Sequence, residues 1–335
     1  MSIRDVAARA GVSPATVSRV FTRPESVAVD TRRRVIAVAD ELNYTPHPVA
    51  RSLANGRTGN IGIVVPDMAN SFSAVITKAV QQEARRDGYA LFVAGSDEIA
   101  QDEEQWARAM AAQVDGLLLL SPQMPDDALL ALADITPVVV TNRLLDGLPV
   151  VLTDAYEATG HAVEHLYALG HRELVYLAGP DGYSNDVRLR AFRDACGRLG
   201  LSPAELGPFH ARFSAGVMAG DLVLATSATG VVAYNDEVAV GVINRLADRG
   251  LRVPQDMSVV GHDDTQLAEM VMPRLTTVRI PAAAAGVAAA GMLLDLVGGR
   301  EGAVRSPLSL PAELVVRAST GPAATVGGRD EDGGP

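Results

Sequence analysis

Apolar residues recur along this chain with two different spacings. Over the first forty residues the spacing is helical: Val6, Ala7 and Ala10 share one face, the chain turns at Gly11, and a run restarting at Ser13 brings Val17, Val20 and Phe21 back against the first. Ser13 offers an oxygen to an orphan backbone N–H and Pro14 suits the first helical position, which predicts a defined start for the second helix. A third amphipathic stretch over 31–42 supplies Val35, Val38, Ala39 and Leu42 to close a small three-helix core. From Asn60 onward, continuous apolar runs (61–65, 90–94, 116–120, 138–140, 174–178, 231–233, 258–260) alternate with helical patterns (74–84, 105–112, 159–169, 188–199, 238–249). Such alternation reads as buried parallel strands joined by crossover helices, and predicts two doubly wound parallel-sheet α/β subdomains behind an all-α head.

The first two helices form a helix-turn-helix pattern whose second helix leaves one face outside the core. That face carries Ala15, Thr16 and Arg19. Ala15 and Arg19 stand four apart and project together from a helix able to enter the major groove. A guanidinium fork matches O6 and N7 of guanine, so Arg19 reads either a base or a phosphate. Ala15 offers a methyl to thymine or leaves room, while Thr16 and Ser18 read as phosphate contacts that set register. In the following run NYTPHPVARSLA (43–54), Pro46 and Pro48 break any preceding helix, and Pro48 starts a short one toward Gly56. Isolated helices of under ~12 residues are marginal in water, so this segment forms only when something holds it. Leu53 is apolar without an obvious partner, which suits a wedge for the minor groove or a leucine in an ordinary linker.

Charge divides the chain at the same place. Through residue 57 nine arginines face five acids, a balance of +4, so with the whole chain at −11 the remainder carries −15. A cationic head on an anionic body suits a DNA-binding module on a body that would itself repel DNA. The 335 residues exceed the size at which one core keeps growing, and no stretch is apolar for long enough to span a bilayer. No signal peptide precedes Ile3, and Cys196 is the single cysteine, so a reducing cytoplasm is the expected setting. Cys196 itself reads as a buried small residue.

Ligands of doubly wound sheets bind beyond the carboxyl ends of the strands. Those ends collect polar groups: 66–73, Ser121 with Pro122, Asn142 with Arg143, Asn235 with Asp236, and Asp263 with Asp264. Asp236 and Asp263 also suit the capping of the helices that follow. The HAVEH pair, His161 and His165, lacks the order and the third ligand of a zinc site. No glycine-rich phosphate loop follows a strand, and Ser184 sits in no nucleophile elbow, so neither cofactor, metal nor catalysis is expected.

The run from Ile3 to Ala54 resembles the DNA-binding head and hinge of the lactose/galactose repressor family, through DVA, AGVS, TVSRV, the pair Thr31 and Arg32, ELNY and VARSLA in order. The body resembles that family's periplasmic-binding-protein-like core over 60–320, through IGIVVPDMANSF, VDGLLLLSP, LGHRELVYLAGP, RLRAF, YNDEVAVGV, VPQDMSVVGHDD and PRLTTVRIP. The resemblance implies a head over 1–45, a hinge helix and linker over 46–58 and an effector-binding core over 59–322; the small, polar, glycine-rich composition of 323–335 predicts a disordered tail. The resemblance places Pro14, Ala15 and Arg19 at the major groove and Leu53 in the central minor groove, and the full set of candidate DNA contacts is Ser13, Pro14, Ala15, Thr16, Ser18, Arg19, Tyr44, Val49, Ala50 and Leu53. It places Asn142, Arg188, Asn235 and Asp263 on the effector and Phe72 at the cleft mouth, to which the strand-end reading adds Ser121. The resemblance also implies a homodimer on a pseudo-palindromic operator, controlled by a sugar, polyol or sugar derivative, with no membrane partner. Two departures bear on the ligand. Asn142 stands where many members carry Asp, and the Asn-Pro-Phe-Phe turn appears as Asn70, Ser71, Phe72, Ser73, which removes an aromatic wall and one charge. Arg188 without its usual acidic partner then points to a sugar acid or phosphate. The rival readings are a solute-binding protein with the same body, and an α/β enzyme with a fused DNA head.

Overall fold

A computed structural model describes residues 1–22, 24–44, 57–300 and 307–323. The hinge run with Val49, Ala50 and Leu53, and the tail from 324, lie outside the described residues. The head is α1 (Ile3–Ala10), α2 (Pro14–Thr22), a 3-10 turn (Pro24–Ser26) and α3 (Val29–Glu41). Gly11, at φ 64°, closes α1 in the left-handed conformation that glycine adopts without strain. Ser13 Oγ accepts the Thr16 amide at 3.1 Å and so starts α2. Val6, Ala7, Ala10, Val17, Val20, Val35 and Ala39 form the buried core, with Phe21, Val38 and Leu42 packed on it. Arg34 Nε donates to the Ala10 carbonyl at 3.0 Å and ties α3 to the end of α1.

The body carries two six-stranded sheets. The first has strand order β11 (Leu308–Pro311), β5 (Val150–Asp154), β4 (Val138–Thr141), β3 (Leu117–Leu120), β1 (Asn60–Val65), β2 (Ala90–Gly95). The second has β12 (Glu313–Val315), β10 (Thr276–Arg279), β9 (Ser258–Asp263), β8 (Gly230–Ala233), β6 (Leu174–Leu177), β7 (Ala204–Leu206). All pairings are parallel except β10 with β12. In the first subdomain α4 (Ser71–Arg86), α5 (Ala100–Ala111), α6 (Asp126–Ala133) and α12 (Ala282–Val297) flank the sheet, and in the second α7 (Tyr156–Ala168), α8 (Tyr183–Arg198), α9 (Phe213–Val223), α10 (Asp236–Asp248) and the short α11 (Gln266–Met270). The chain crosses between subdomains after β5, returns after β10 to place α12 on the first sheet, and crosses again between β11 and β12. Each sheet therefore has two apolar layers, one per face.

The apolar runs locate the central strands but not all elements. β2 is a sheet edge with Phe92 and Val93 exposed, not a buried strand. β5 and β10 mix Thr with Val, and β7, β11 and β12 are only three or four residues long. α12 (AAAAGVAAAGMLLDLV) is apolar nearly all round, so it carries no amphipathic signal. α9 and α10 approach so closely that a Cβ on Gly216 would lie 2.2 Å from the Val238 carbonyl, and one on Gly241 2.3 Å from the Phe213 carbonyl. The composition of α9 records that contact rather than amphipathicity.

Candidate functional site

Two surfaces gather the predicted residues. On α2, Ser13, Pro14, Ala15 and Arg19 are exposed, and Thr16 and Ser18 are half-buried beside them. Arg19 stands out from a helix whose opposite face, Val17 and Val20, is buried, so its guanidinium can reach a groove without disturbing the core. Tyr44 packs its ring edge-on against Phe21, centroids 6.2 Å apart, and its amide donates to the Ala39 carbonyl at 2.8 Å. Tyr44 is thus a core-edge residue as well as a candidate DNA contact.

The second surface is a cleft of about 550 Å³ between the subdomains, lined by the carboxyl ends of strands from both sheets. Phe72, Ser121, Asn142, Arg188, Asn235 and Asp263 all line it. Three of these turn the backbone where strands end: Ser121 at φ 48°, Asn142 at 51° and Asp263 at 104°. Non-glycine residues occupy this region at a cost, and such outliers gather at binding sites.

The polar side chains are held by hydrogen bonds, two of them to each other: Asn142 to Ser121 and Arg188 to Asp263. Asn142 Oδ1 accepts from the Thr153 amide at 2.8 Å and hydroxyl at 2.9 Å, and Nδ2 donates to Ser121 Oγ at 3.4 Å. Asn235 caps α10 by accepting the Val238 amide at 2.9 Å, and its Nδ2 donates to the Ala211 carbonyl at 3.0 Å. Arg188 donates from Nη1 to the Tyr234 carbonyl at 2.5 Å and from Nη2 to Asp263 Oδ1 at 3.1 Å, its guanidinium 4.8 Å from the Tyr234 ring centroid. Arg188 Nε is buried without a partner among the described residues. Burial pushes the Asp263 carboxyl up, and the adjoining Arg188 charge pulls it back. Behind the pair, His262 is held neutral by burial: Nδ1 lies 2.8 Å from the Ala233 carbonyl, so it carries the proton, and Nε2 accepts from Thr159 Oγ1 at 3.0 Å.

Several readings need correction. Arg188 has an acidic partner, Asp263, which removes the ground for a ligand acid or phosphate. The aromatic surface absent from the 70–73 turn is supplied by the second subdomain, where Tyr183 and Tyr234 line the cleft, while Phe72 packs against the cores of both subdomains. Neither Asp263 nor Asp236 is a cap. Asp236 is buried, accepts from Thr265 N at 2.7 Å and Thr277 Oγ1 at 2.6 Å, and burial with nearby Asp263 pushes its carboxyl up to about 8. Asn70, Glu98, Ala211 and Tyr234 also line the cleft without having been singled out as contacts. The signal for Glu98 and Tyr234 is the stretch directly after an apolar strand, Glu98 three residues beyond β2 and Tyr234 one beyond β8.

Elsewhere, His161 is exposed and His165 Nε2 lies 2.9 Å from Thr320 Oγ1; among the described residues no acidic, His and Cys group could hold a metal. Cys196 is buried, its thiol pushed up to about 12 by burial. No described helix is long and apolar enough to cross a membrane.

Residues 2–47 match the model of bacterial regulatory proteins, lacI family, and residues 163–320 that of a periplasmic binding protein-like domain. The transcriptional repressor CytR of Escherichia coli is 32% identical over 95% of this chain and 96% of its own length, and the regulator DegA of Bacillus subtilis 32% over 97% and 99%. The crystal structure of the Lac repressor dimer bound to operator and an anti-inducer superposes with a TM-score of 0.84 at 29% identity, over 96% of this chain and 99% of that one. A LacI family regulator of Enterococcus faecium with bound ribose superposes at 0.71 and 27% identity over 78% of this chain and 99% of its own. With a three-helix DNA-reading head joined to a two-subdomain cleft, the chain belongs to the lacI family of bacterial regulatory proteins and is a DNA-binding transcriptional regulator.

Proposed function

We propose that this chain is a dimeric repressor acting in the cytoplasm, whose grip on a pseudo-palindromic operator is set by an uncharged, polyhydroxylated effector held between its two subdomains. The observation that carries this reading is the buried pair Arg188 and Asp263 beside Asn142 and Asn235, all facing one cleft. A fork, a carboxylate and two amides are the groups that bridge neighbouring hydroxyls. The charge of the lining argues against an anion: Asp67, Glu98, Asp181, Asp186 and Asp263 face only Arg143 and Arg188. Both arginines already have their charge compensated, Arg188 by Asp263 and Arg143 by Asp126 with the Pro122 and Met124 carbonyls, which leaves a donor such as Arg188 Nε for a neutral hydroxyl but no uncompensated positive charge. A phosphate or carboxylate would enter an acidic site with no free cation among the lining residues to receive it.

Closing the cleft around an effector changes the angle between subdomains, and so the spacing at which the two hinge segments over 46–58 meet. When they pair, Leu53 and its twin wedge the operator and both α2 helices seat; otherwise the heads stay tethered but unplaced. Linkage then requires operator and effector to shift each other's affinity by one common factor. The test is a mobility shift with genomic fragments selected by the full-length chain, run against neutral monosaccharides and their phosphates. Retention of selected fragments over scrambled competitor, altered by a neutral sugar and not by its phosphate, is expected. Loss of selectivity would sink the DNA reading, and a response confined to the phosphates would sink the effector class. A solute-binding role predicts sugar binding with no retained fragment.

A further inference from the structure

The segment between β7 and α9 is grasped from across the cleft. Glu98, on the loop after β2 in the first subdomain, reaches into the second, where its Oε2 lies 2.7 Å from His210 Nδ1 and 3.9 Å from Arg212 Nη2. Its Oε1 accepts the Ala211 amide at 3.4 Å. From the same side Asn70 Nδ2 donates to the Ala211 carbonyl at 3.3 Å, an oxygen that also accepts from Asn235. In return Glu237 of α10 accepts the Ser71 amide, the first of α4, at 3.1 Å. One residue, Ala211, is thus bonded from the opposite subdomain at both its N–H and its C=O.

The carboxylate of Glu98 is committed to this arrangement. Its side chain is 8% exposed, and its side-chain hydrogen-bonding and ionic partners among the described residues lie on 210–212. A carboxylate so nearly buried persists only while paired, so parting the subdomains at this edge requires Glu98 to exchange its bonds to the strap for water. Asp97 and Glu98 also stand at φ 51° and 63°, two consecutive non-glycine residues in the left-handed region. Such backbone persists where surrounding contacts over-determine it.

We infer that residues 210–212 are a strap which Glu98 clasps to hold the subdomains shut over the cleft, making Glu98 a positioning residue for closure rather than a contact that defines the ligand. The clasp depends only on this chain; its consequence for an effector rests on the reading of the cleft given above.

Amide exchange of the full-length protein without added ligand, resolved at single residues, tests it. In Glu98→Ala exchange is expected to rise about tenfold or more at Ala211, the loss of one charge-assisted hydrogen bond. It is expected to rise also at Ser71, whose amide is held by Glu237 and not by Glu98. Glu98→Gly, which removes the carboxylate and relieves the backbone, should do the same, separating the clasp from local strain. Acceleration at Ala211 alone in both variants would make the contact merely local and overturn the strap, as would wild-type exchange at both amides. Where D-ribose binds the wild type, its dissociation should quicken in Glu98→Ala. Failure of ribose to bind bears on the effector reading and leaves the exchange result to decide the strap.

Discussion

The two binding surfaces of this molecule are built on opposite terms. On α2 the groups aimed at DNA stand clear of the fold: Ala15 and Arg19 are exposed, and the core behind them consists of Val17 and Val20. In the cleft the corresponding groups are structural: Asn142, Arg188, Asn235 and Asp263 are buried, Arg188 is bonded to Asp263 and the Tyr234 carbonyl, and Asn142 and Asn235 are bonded to the strand and helix beside them. Recognition in the head is therefore separable from stability, and recognition in the cleft is not. An exposed reader is altered at the cost of its contact alone, whereas a buried one leaves a partner unpaired.

The most severe test of that contrast is Asp263→Ala. Removing it leaves the Arg188 guanidinium buried and unpaired, and breaking a buried ion pair costs about 3 to 5 kcal/mol. Chemical denaturation should record that loss, and operator binding at low temperature should persist without any response to effector. Unchanged stability would mean that Arg188 finds water or another acceptor, and the cleft would then be as separable as the head. Restoring an apolar pair, Arg188→Met with Asp263→Leu, should recover much of the stability and none of the response.

Asp236 extends the contrast to pH. Its carboxyl is pushed up to about 8 in the fold by burial and by Asp263, against about 4 in an unfolded chain. Between those values the native state holds a proton that the unfolded state has released, so this group's contribution to stability falls as pH rises from about 4 to about 8 and is flat above. Asp236→Asn should flatten that slope in thermal melts. An identical pH profile in wild type and variant would place the carboxyl in its ordinary range, ionised and satisfied by Thr265 and Thr277.

Arg19→Ala should behave in the opposite manner. Stability should change by no more than about 0.5 kcal/mol, as for other exposed positions, while operator affinity falls by about 1 to 3 kcal/mol with relaxed preference at one base pair per half-site. Equal loss on every sequence would make it a phosphate contact.

The same contrast governs what could be read from sequence. The head was legible nearly residue by residue because a small three-helix core has one spacing and one answer, and because Ser13 and Gly11 punctuate it chemically. In the body the central strands were legible as apolar runs, and each predicted cleft residue lies on the cleft. The partnerships were not. That Arg188 meets Asp263, 75 positions away, follows from two adjacent strand ends and a helix start, which no local pattern encodes. α12 is not legible because its exposed face, with Ala283, Ala284, Val287 and Gly291, is as apolar in sequence as its buried one, and β2 reads as a buried strand because an edge strand carries the same residues as a central one.

The smallest effect divides local structure from contact within the head itself. Ser13 Oγ accepts the Thr16 amide and lies 2.9 Å from Thr16 Oγ1. Loss of an N-cap oxygen costs about 1 kcal/mol, and less where water reaches the freed N–H, as it does at this exposed turn. Ser13→Ala should therefore lower the melting temperature of the head slightly and weaken operator binding through a frayed start to α2. Ser13→Asp keeps the cap and favours the helix dipole, so stability should return. Its carboxylate would nevertheless face the phosphates that exposed Ser13 approaches, so operator affinity should fall below that of Ser13→Ala, and fall further as salt is lowered. Full binding by Ser13→Asp would mean that the amino end of α2 does not meet the DNA backbone, and the docking of the head would have to be turned.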